Sequence, residues 1–292
     1  MPELTPFTNS SDLLGQPAAL QARMQQDGYL FLAGLLPIKA VGEVYNAIMA
    51  ICQECHWADA AGHAQGPARL EGAPDFWEVY DRVQSQEIFH ALAHRPELLQ
   101  LIKVLVKETP FLHPRNIARI TFPQTEHFTT PPHQDYVHIQ GTPDVYTTWI
   151  PLSDCPQALG GVAVLAGSHV HDILPVHKAS GAGGLGIDTE ELDLPWHTSD
   201  YQPGDVLVFH SHTVHKGLPN RTTNRLRFSV DYRYQGVSGA IVEDGLMPHY
   251  NRLGWEKIYQ GWTRTDLQYY WRELPLKLVQ RDRSYHQNAQ MR

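Results

Sequence analysis

The sequence predicts a mainly β core with flanking helices, and three observations predict it. Apolar residues recur at helical spacing through residues 1–115, and from Asn116 the texture changes to short runs rich in Ile, Val, Thr, Tyr and Phe, punctuated by Pro and Gly. The length of 292 residues suits one elaborated domain, because β sandwiches and barrels of roughly 200 to 250 residues often form a single unit. The expected organisation is one domain over 1–292, with a mostly helical part at 1–115, a β core at 116–235 and a helical C-terminal extension at 236–292.

Residues 11–26 carry Leu13, Leu14, Leu20 and Met24 at helical spacing, and Asp27-Gly28 breaks the pattern before the strand-like Tyr29-Leu30-Phe31-Leu32. Past Pro37, Val41, Val44, Ile48 and Ile51 share one face and predict an amphipathic helix over 38–52. A polar, glycine-containing stretch follows at 60–74. The helical pattern over 85–106 is interrupted at Arg95-Pro96, where proline is tolerated only if a new helix starts. Candidate strands lie at 117–122, 145–152, 161–165, 206–209 and 226–234. The connection 176–202, with Ser180-Gly181-Ala182-Gly183-Gly184 inside it, has the length of a functional lid. The tail at 255–279 is rich in Trp, Tyr and Leu at helical spacing and reads as a packing helix, with Tyr269-Tyr270-Trp271 as an alternative pocket edge.

A hydrophobic share of 42% against 18% charged residues is enough apolar surface to fold, which excludes global disorder. The formal charge of -8 repels phosphate backbones and anionic lipid, so nucleic acid and membrane are not expected as partners. No apolar run approaches a membrane span, and the first ten residues lack the basic and apolar regions of a secretory signal. Three cysteines are too few, and odd in number, for a disulfide framework. Together these predict a soluble, cytoplasmic protein.

His133-Gln134-Asp135 follows Pro131-Pro132, and in an extended segment residues i and i+2 point to one side, so an imidazole and a carboxylate can meet one ion. In a chain with 17 His such a triplet arises on the order of once by chance, and most exposed His bind nothing, so the triplet needs a second element. That element is Phe209-His210-Ser211-His212-Thr213-Val214-His215, leading into a Pro219-Asn220 turn. His210, His212 and His215 are all open as the third ligand at this point. Two His and one carboxylate on one face of an octahedron leave positions for a co-substrate and dioxygen, as in non-haem Fe(II) oxygenases, whereas a structural zinc site closes all its positions.

Several ordered fragments resemble the phytanoyl-CoA dioxygenase family: Pro132-His133-Gln134-Asp135, Thr148-Trp149-Ile150-Pro151-Leu152, Gly160-Gly161, Ala166-Gly167-Ser168-His169, Pro203-Gly204-Asp205 and His215-Lys216-Gly217-Leu218-Pro219-Asn220. The resemblance runs from Asp27 to Tyr234. It implies a double-stranded β-helix, a jelly-roll or cupin-like barrel of two facing sheets. It also implies Fe(II) held by His133, Asp135 and His215, with 2-oxoglutarate and dioxygen as co-substrates. The family's arginine for the far carboxylate of 2-oxoglutarate stands about eleven residues beyond the distal His. Arg225 and Arg227 lie ten and twelve beyond His215, and Arg227 is preferred because it opens the strand as the family's arginine does. Trp149 matches a position that touches 2-oxoglutarate; alternation puts Thr147 on the same interior face, with Val145 as core. His169 falls in a segment the family uses as a turn.

The implied reaction is oxidative decarboxylation of 2-oxoglutarate to succinate and carbon dioxide, coupled to hydroxylation of an unactivated C–H bond. Asp135 disfavours halogenation, in which chloride takes the carboxylate's place. Candidate substrate contacts are Gln134, Tyr136, His138, His212, Trp196 and Arg233. The family's name does not set the substrate, since loops shape the pocket, and no obvious basic cluster for a coenzyme A tail is present, so a small-molecule metabolite is expected as substrate. The alternatives are a catalytically silent binding protein on the same fold, against which the intact His133, Asp135, His215 and Arg set argues, and a metal-dependent cupin enzyme without 2-oxoglutarate, which needs no anchoring Arg and which succinate formation would separate. Cys52-Gln53-Glu54-Cys55-His56 matches a haem-attachment pattern, but it sits at the end of an amphipathic helix with no βαβ pattern around it.

Overall fold

The computed structural model describes residues 4–287 and 289–291. Its larger sheet runs in the order Tyr29–Leu32, Val206–His210, Val145–Pro151, Arg227–Gly236 and Pro110–Leu112, with Ile117–Thr121 also paired to Arg227–Gly236. The smaller sheet runs Leu4–Thr5, Trp196–His197, Val162–Leu165 and His215–Gly217. Helices pack outside the larger sheet. This is the mainly β, helix-flanked jelly roll that the sequence predicts.

Arg227–Gly236 sits between Val145–Pro151, in register from Ser229 opposite Pro151 to Gln235 opposite Val145, and Ile117–Thr121, from Arg227 opposite Thr121 to Asp231 opposite Ile117. Period-2 alternation splits this strand into two unlike faces. Phe228, Val230, Tyr232 and Tyr234 join the core shared with Val41, Val44, Ile48, Leu98 and Ile102 of the helices Ile38–Glu54 and Pro96–Val106. Tyr232 and Tyr234 donate their hydroxyls to the carbonyls of Phe89 (2.6 Å) and Ala93 (2.7 Å), which ties the helix Glu87–Ala93 to the sheet. Arg227, Ser229, Asp231, Arg233 and Gln235 alternate with them and face between the sheets. One end of that interior is closed by an apolar plug of Phe7, Tyr29, Phe31, Trp149, Tyr201 and Phe209.

The helix over 11–26 resolves into a short turn, Ser11–Leu13, and Pro17–Asp27, which Gly28 ends in the left-handed conformation (φ 76°). The break at Arg95-Pro96 separates Glu87–Ala93 from Pro96–Val106, with Pro96 opening the second helix. Trp77–Gln84 is a helix the sequence pattern did not reveal, started by the turn Pro74–Phe76. The long connection contains a hairpin of Val176–Lys178 and Leu185–Ile187, anchored where Ile187 N–H donates to Pro132 O at 2.9 Å. The backbone of Gln290–Met291 pairs in parallel with Val176–Lys178.

The C-terminal extension corrects the expectation of a packing helix. Over 255–279 it holds a single α turn at Trp255–Ile258, a short turn at Thr265–Leu267 and a strand at Lys277–Val279 paired with Ala240–Val242. Positive φ at Gly261 (83°) and Tyr269 (52°) breaks any continuous helix, and the aromatic residues form their own cluster of Trp255, Tyr259 and Trp271 over Phe111. In the Cys52-x-x-Cys55-His56 motif, Cys52 is buried in the core, where burial pushes its thiol up to about 12, and Arg82 Nη1 donates to Cys55 Sγ at 3.2 Å.

Candidate metal centre

His133 and His215 come from segments that meet edge to edge. The N–H of each donates to the carbonyl of the other, both at 3.0 Å, in an isolated antiparallel bridge that prolongs the smaller sheet. Two residues after His133, Asp135 faces the same side, and the chain then turns into the single helical turn Tyr136–Ile139. One ligand atom from each of His133, Asp135 and His215 lies within 4.8 Å of the others, the one such group among the described residues.

The hydrogen bonds around this group fix its donor atoms. His133 Nδ1 donates to Pro131 O (2.9 Å) and His215 Nδ1 to Thr213 O (3.0 Å), so each imidazole keeps Nε2 as its free lone pair. Burial, then neighbouring His133, pushes His215 down to about 3, which leaves it neutral and able to ligate at pH 7. Asp135 is held by both oxygens: Thr147 Oγ1 donates to Oδ2 at 2.6 Å, and Arg233 donates from Nη2 to Oδ1 at 3.1 Å and from Nε to Oδ2 at 3.4 Å. Burial alone would raise this carboxyl, but Arg233 and the two imidazoles outweigh it and hold it well below the usual range. Two imidazoles that keep Nε2 free and one carboxylate, all converging from one side, fit Fe(II) with open positions.

Beside the triad a narrow inner chamber is lined by Thr147, Trp149, Phe209, Arg227 and Asp231. Arg227 is buried, donates from Nη2 to Thr121 Oγ1 at 2.6 Å, and stacks 5.9 Å from the Trp149 ring. Its Nε is buried without a hydrogen-bond partner, which is the mark of a donor made for a ligand. A guanidinium with an unused donor at this depth fits the far carboxylate of 2-oxoglutarate. Arg225 instead points outward to Asp154, with Nη2 2.9 Å from Oδ1.

The family model described as phytanoyl-CoA dioxygenase (PhyH) matches residues 24–228. The chain belongs to the phytanoyl-CoA dioxygenase family. It is an iron- and 2-oxoglutarate-dependent oxygenase. It is 30% identical over 262 residues to a 1-deoxypentalenic acid 11-beta-hydroxylase of Streptomyces exfoliatus, covering 84% of this chain and 90% of that one. The enzyme of the same name from Streptomyces arenae is 28% identical, covering 83% and 89%. Among solved structures, the epimerase SnoN in complex with Fe3+, alpha ketoglutarate and nogalamycin RO superposes with a TM-score of 0.57 at 21% identity, over 78% of this chain and 86% of that one. EctD from S. alaskensis with 2-oxoglutarate and 5-hydroxyectoine gives 0.54 at 18% identity, over 81% of each. These two likenesses carry the fold. None of the oxygenase's described helices is long and apolar enough to cross a membrane.

In front of the triad opens a cavity of about 490 Å³ whose walls include His133, Asp135, His138 and the lid-tip residues Ala182 and Gly183. His138 and Arg233, expected as substrate contacts, both line it. The other four expected contacts do not. Gln134 is fully buried on the opposite side, where Nε2 donates to His212 O (2.9 Å) and Oε1 accepts from Leu174 N–H (2.8 Å). Tyr136 and His212 pack on each other, rings 5.2 Å apart, behind the helical turn. Trp196 is core of the smaller sheet, with Lys216 Nζ 3.8 Å over its ring. Alternation explains Gln134, the neighbour of inward-facing His133, and Tyr136 is turned away because it opens the helical turn Tyr136–Ile139. Thr147 lines the chamber with Arg227 and Trp149 and donates its hydroxyl to Asp135.

The sequence reading missed a basic lining. Arg115, Arg119, Arg233 and Arg281 all face the cavity. Three have carboxylate partners: Arg119 with Glu71 (2.7 Å) and Asp231 (3.3 Å), Arg233 with Asp135, and Arg281 with Asp244 (3.0 Å). Arg115 has a backbone partner, donating from Nε to Met247 O at 3.1 Å. Burial, then the cations of Arg233 and Arg281, pushes its guanidinium down to about 10.

Proposed function

We propose that the oxygenase hydroxylates an unactivated C–H bond of a small molecule bearing a carboxylate, in the cytoplasm and as one catalytic domain. One observation carries the substrate class: Arg115 faces the cavity with only a carbonyl as hydrogen-bond partner, whereas the three other cavity arginines are paired to acids. A substrate carboxylate there would relieve the repulsion among Arg115, Arg233 and Arg281. The relatives named for 1-deoxypentalenic acid, themselves hydroxylases of a carboxylic acid, support the same reading.

His133, Asp135 and His215 hold iron, which supplies the activation of dioxygen. Arg227 anchors 2-oxoglutarate against Trp149, and His138 and the lid tip border the substrate. Dioxygen, 2-oxoglutarate and the C–H bond become the alcohol, succinate and carbon dioxide. The lid and the apolar plug keep water from the reacting centre. The test is a panel of small carboxylic acids, each paired with its amide, assayed for succinate release with Fe(II) and 2-oxoglutarate. Acids that stimulate succinate where their amides do not, with a raised KM in Arg115→Gln, are expected. Equal stimulation by acids and amides overturns the substrate class.

A further inference from the structure

We propose that Arg233 is a positioning residue for the iron site, clamping Asp135 so that the carboxylate meets the metal through one oxygen in a fixed orientation. The inference rests on the reading of His133, Asp135 and His215 as the iron ligands. Its basis is a fork of hydrogen bonds. Arg233 reaches Asp135 with two different nitrogens, Nη2 on Oδ1 and Nε on Oδ2, at 3.1 and 3.4 Å. Thr147 adds the third bond, 2.6 Å from Oδ2. Oδ2 therefore accepts twice and Oδ1 once, and Oδ1 lies 3.8 Å from His133 Nε2. A carboxylate held this way cannot rotate about its terminal bond without breaking three hydrogen bonds, and with Oδ2 taken up by two donors, Oδ1 would be the oxygen offered to a bound metal.

The clamp itself is rigid. Arg233 stands on the ten-residue central strand, in register with Thr147 on the neighbouring strand, so both side chains that hold Asp135 leave one ladder rung on the same face. The Arg233 side chain is 11% exposed and that of Asp135 3%, which excludes most water from the contact. Arg233 also borders both the inner chamber and the wide cavity. A substrate-binding arginine would instead be free of an acidic hydrogen-bond partner, as Arg115 is among the described residues, its Nε donating to a carbonyl.

The test uses Arg233→Met, which keeps bulk without charge, and Arg233→Lys, which keeps charge without the fork. Mn(II) binding is read from the loss of its free EPR signal. The charge-transfer band is read after anaerobic addition of Fe(II) and 2-oxoglutarate, and the thermal midpoint serves as a folding control. Arg233→Met is expected to weaken Mn(II) by roughly 10- to 100-fold and to shift the band, with no substrate present, and Arg233→Lys to fall between it and wild type. Mn(II) affinity and band unchanged, or affinity increased, in a folded Arg233→Met overturns the clamp while leaving the iron reading intact. If Arg233→Met does not fold, Arg233→Lys decides: a wild-type band and affinity overturn the proposal, and a shifted band with weakened binding supports it. Failure of wild type to bind Mn(II) overturns both readings.

Discussion

His133 and His215 exchange both of their main-chain hydrogen bonds at 3.0 Å, so the two imidazoles are set by a sheet ladder rather than by a loop. His210, by contrast, lies 3.7 Å from Asp144 through Nε2, and His212 packs on Tyr136. His215→Ala is therefore expected to abolish Mn(II) binding at micromolar concentrations. His210→Ala and His212→Ala should leave it within about threefold, since neither ring reaches the site. Equal loss in His215→Ala and His210→Ala would mean that the ligand is misassigned.

Arg227 and Arg225 separate on 2-oxoglutarate affinity. Removing a buried cation that pairs with a ligand carboxylate costs about 2 to 5 kcal/mol, or roughly 30-fold and more in Kd. Arg225 forms a surface ion pair with Asp154, and such pairs are worth about 0.2 to 1 kcal/mol of stability and nothing in the chamber. Isothermal titration of 2-oxoglutarate into the Mn(II)-loaded protein should show Arg227→Ala far weaker than wild type and Arg225→Ala close to it. A loss confined to Arg225→Ala would reverse the assignment.

Gly181 sits at the lid tip with φ 115°, and an added Cβ would stand 1.8 Å from Thr129 O. Gly181→Ala must displace the tip from the segment that leads into His133, at a strain of about 1 to 3 kcal/mol if it stays. Faster limited proteolysis across 180–184 is expected, with the thermal midpoint little changed because the tip adds little to the core. Proteolysis at the wild-type rate would show that the tip is not held by this contact.

Much of the fold was legible because its strands are short apolar runs between turn residues: 145–152 and 226–234 became Val145–Pro151 and Arg227–Gly236. His133 and Asp135 were legible from their i, i+2 spacing, whereas His215 needed the order of several fragments, because three histidines share the segment. The basic cavity was not legible. Its arginines are scattered from Arg115 to Arg281 and only the topology assembles them. A signal did exist: Arg227, Ser229, Asp231, Arg233 and Gln235 alternate inside a strand whose other face is wholly apolar, and a polar row in a strand central to its sheet marks a lined cavity. The tail misled because dense aromatics imitate helical spacing while Gly261 and Tyr269 turn the backbone.

Acid should destabilise the protein well above the range in which carboxylates titrate. His90 donates from Nε2 to Gln84 O (2.9 Å) and its Nδ1 accepts from Asn116 Nδ2 (3.0 Å); His113 Nε2 is 2.7 Å from Gln235 Oε1. Burial pushes both imidazoles down to about 4. In the unfolded chain they titrate near the ordinary value of about 6.5. Below that pH the unfolded state binds protons that the folded state refuses, so stability falls with falling pH, by about 1.4 kcal/mol per pH unit for each group, until pH 4. Between pH 6.5 and pH 5 each histidine removes roughly 1 to 2 kcal/mol. His90→Gln should be less stable than wild type at pH 7, because a paired buried ring is lost, yet lose less stability on acidification. Urea unfolding at pH 7, 6 and 5 measures both, and an unchanged pH slope in His90→Gln would show that His90 is protonated in the folded state.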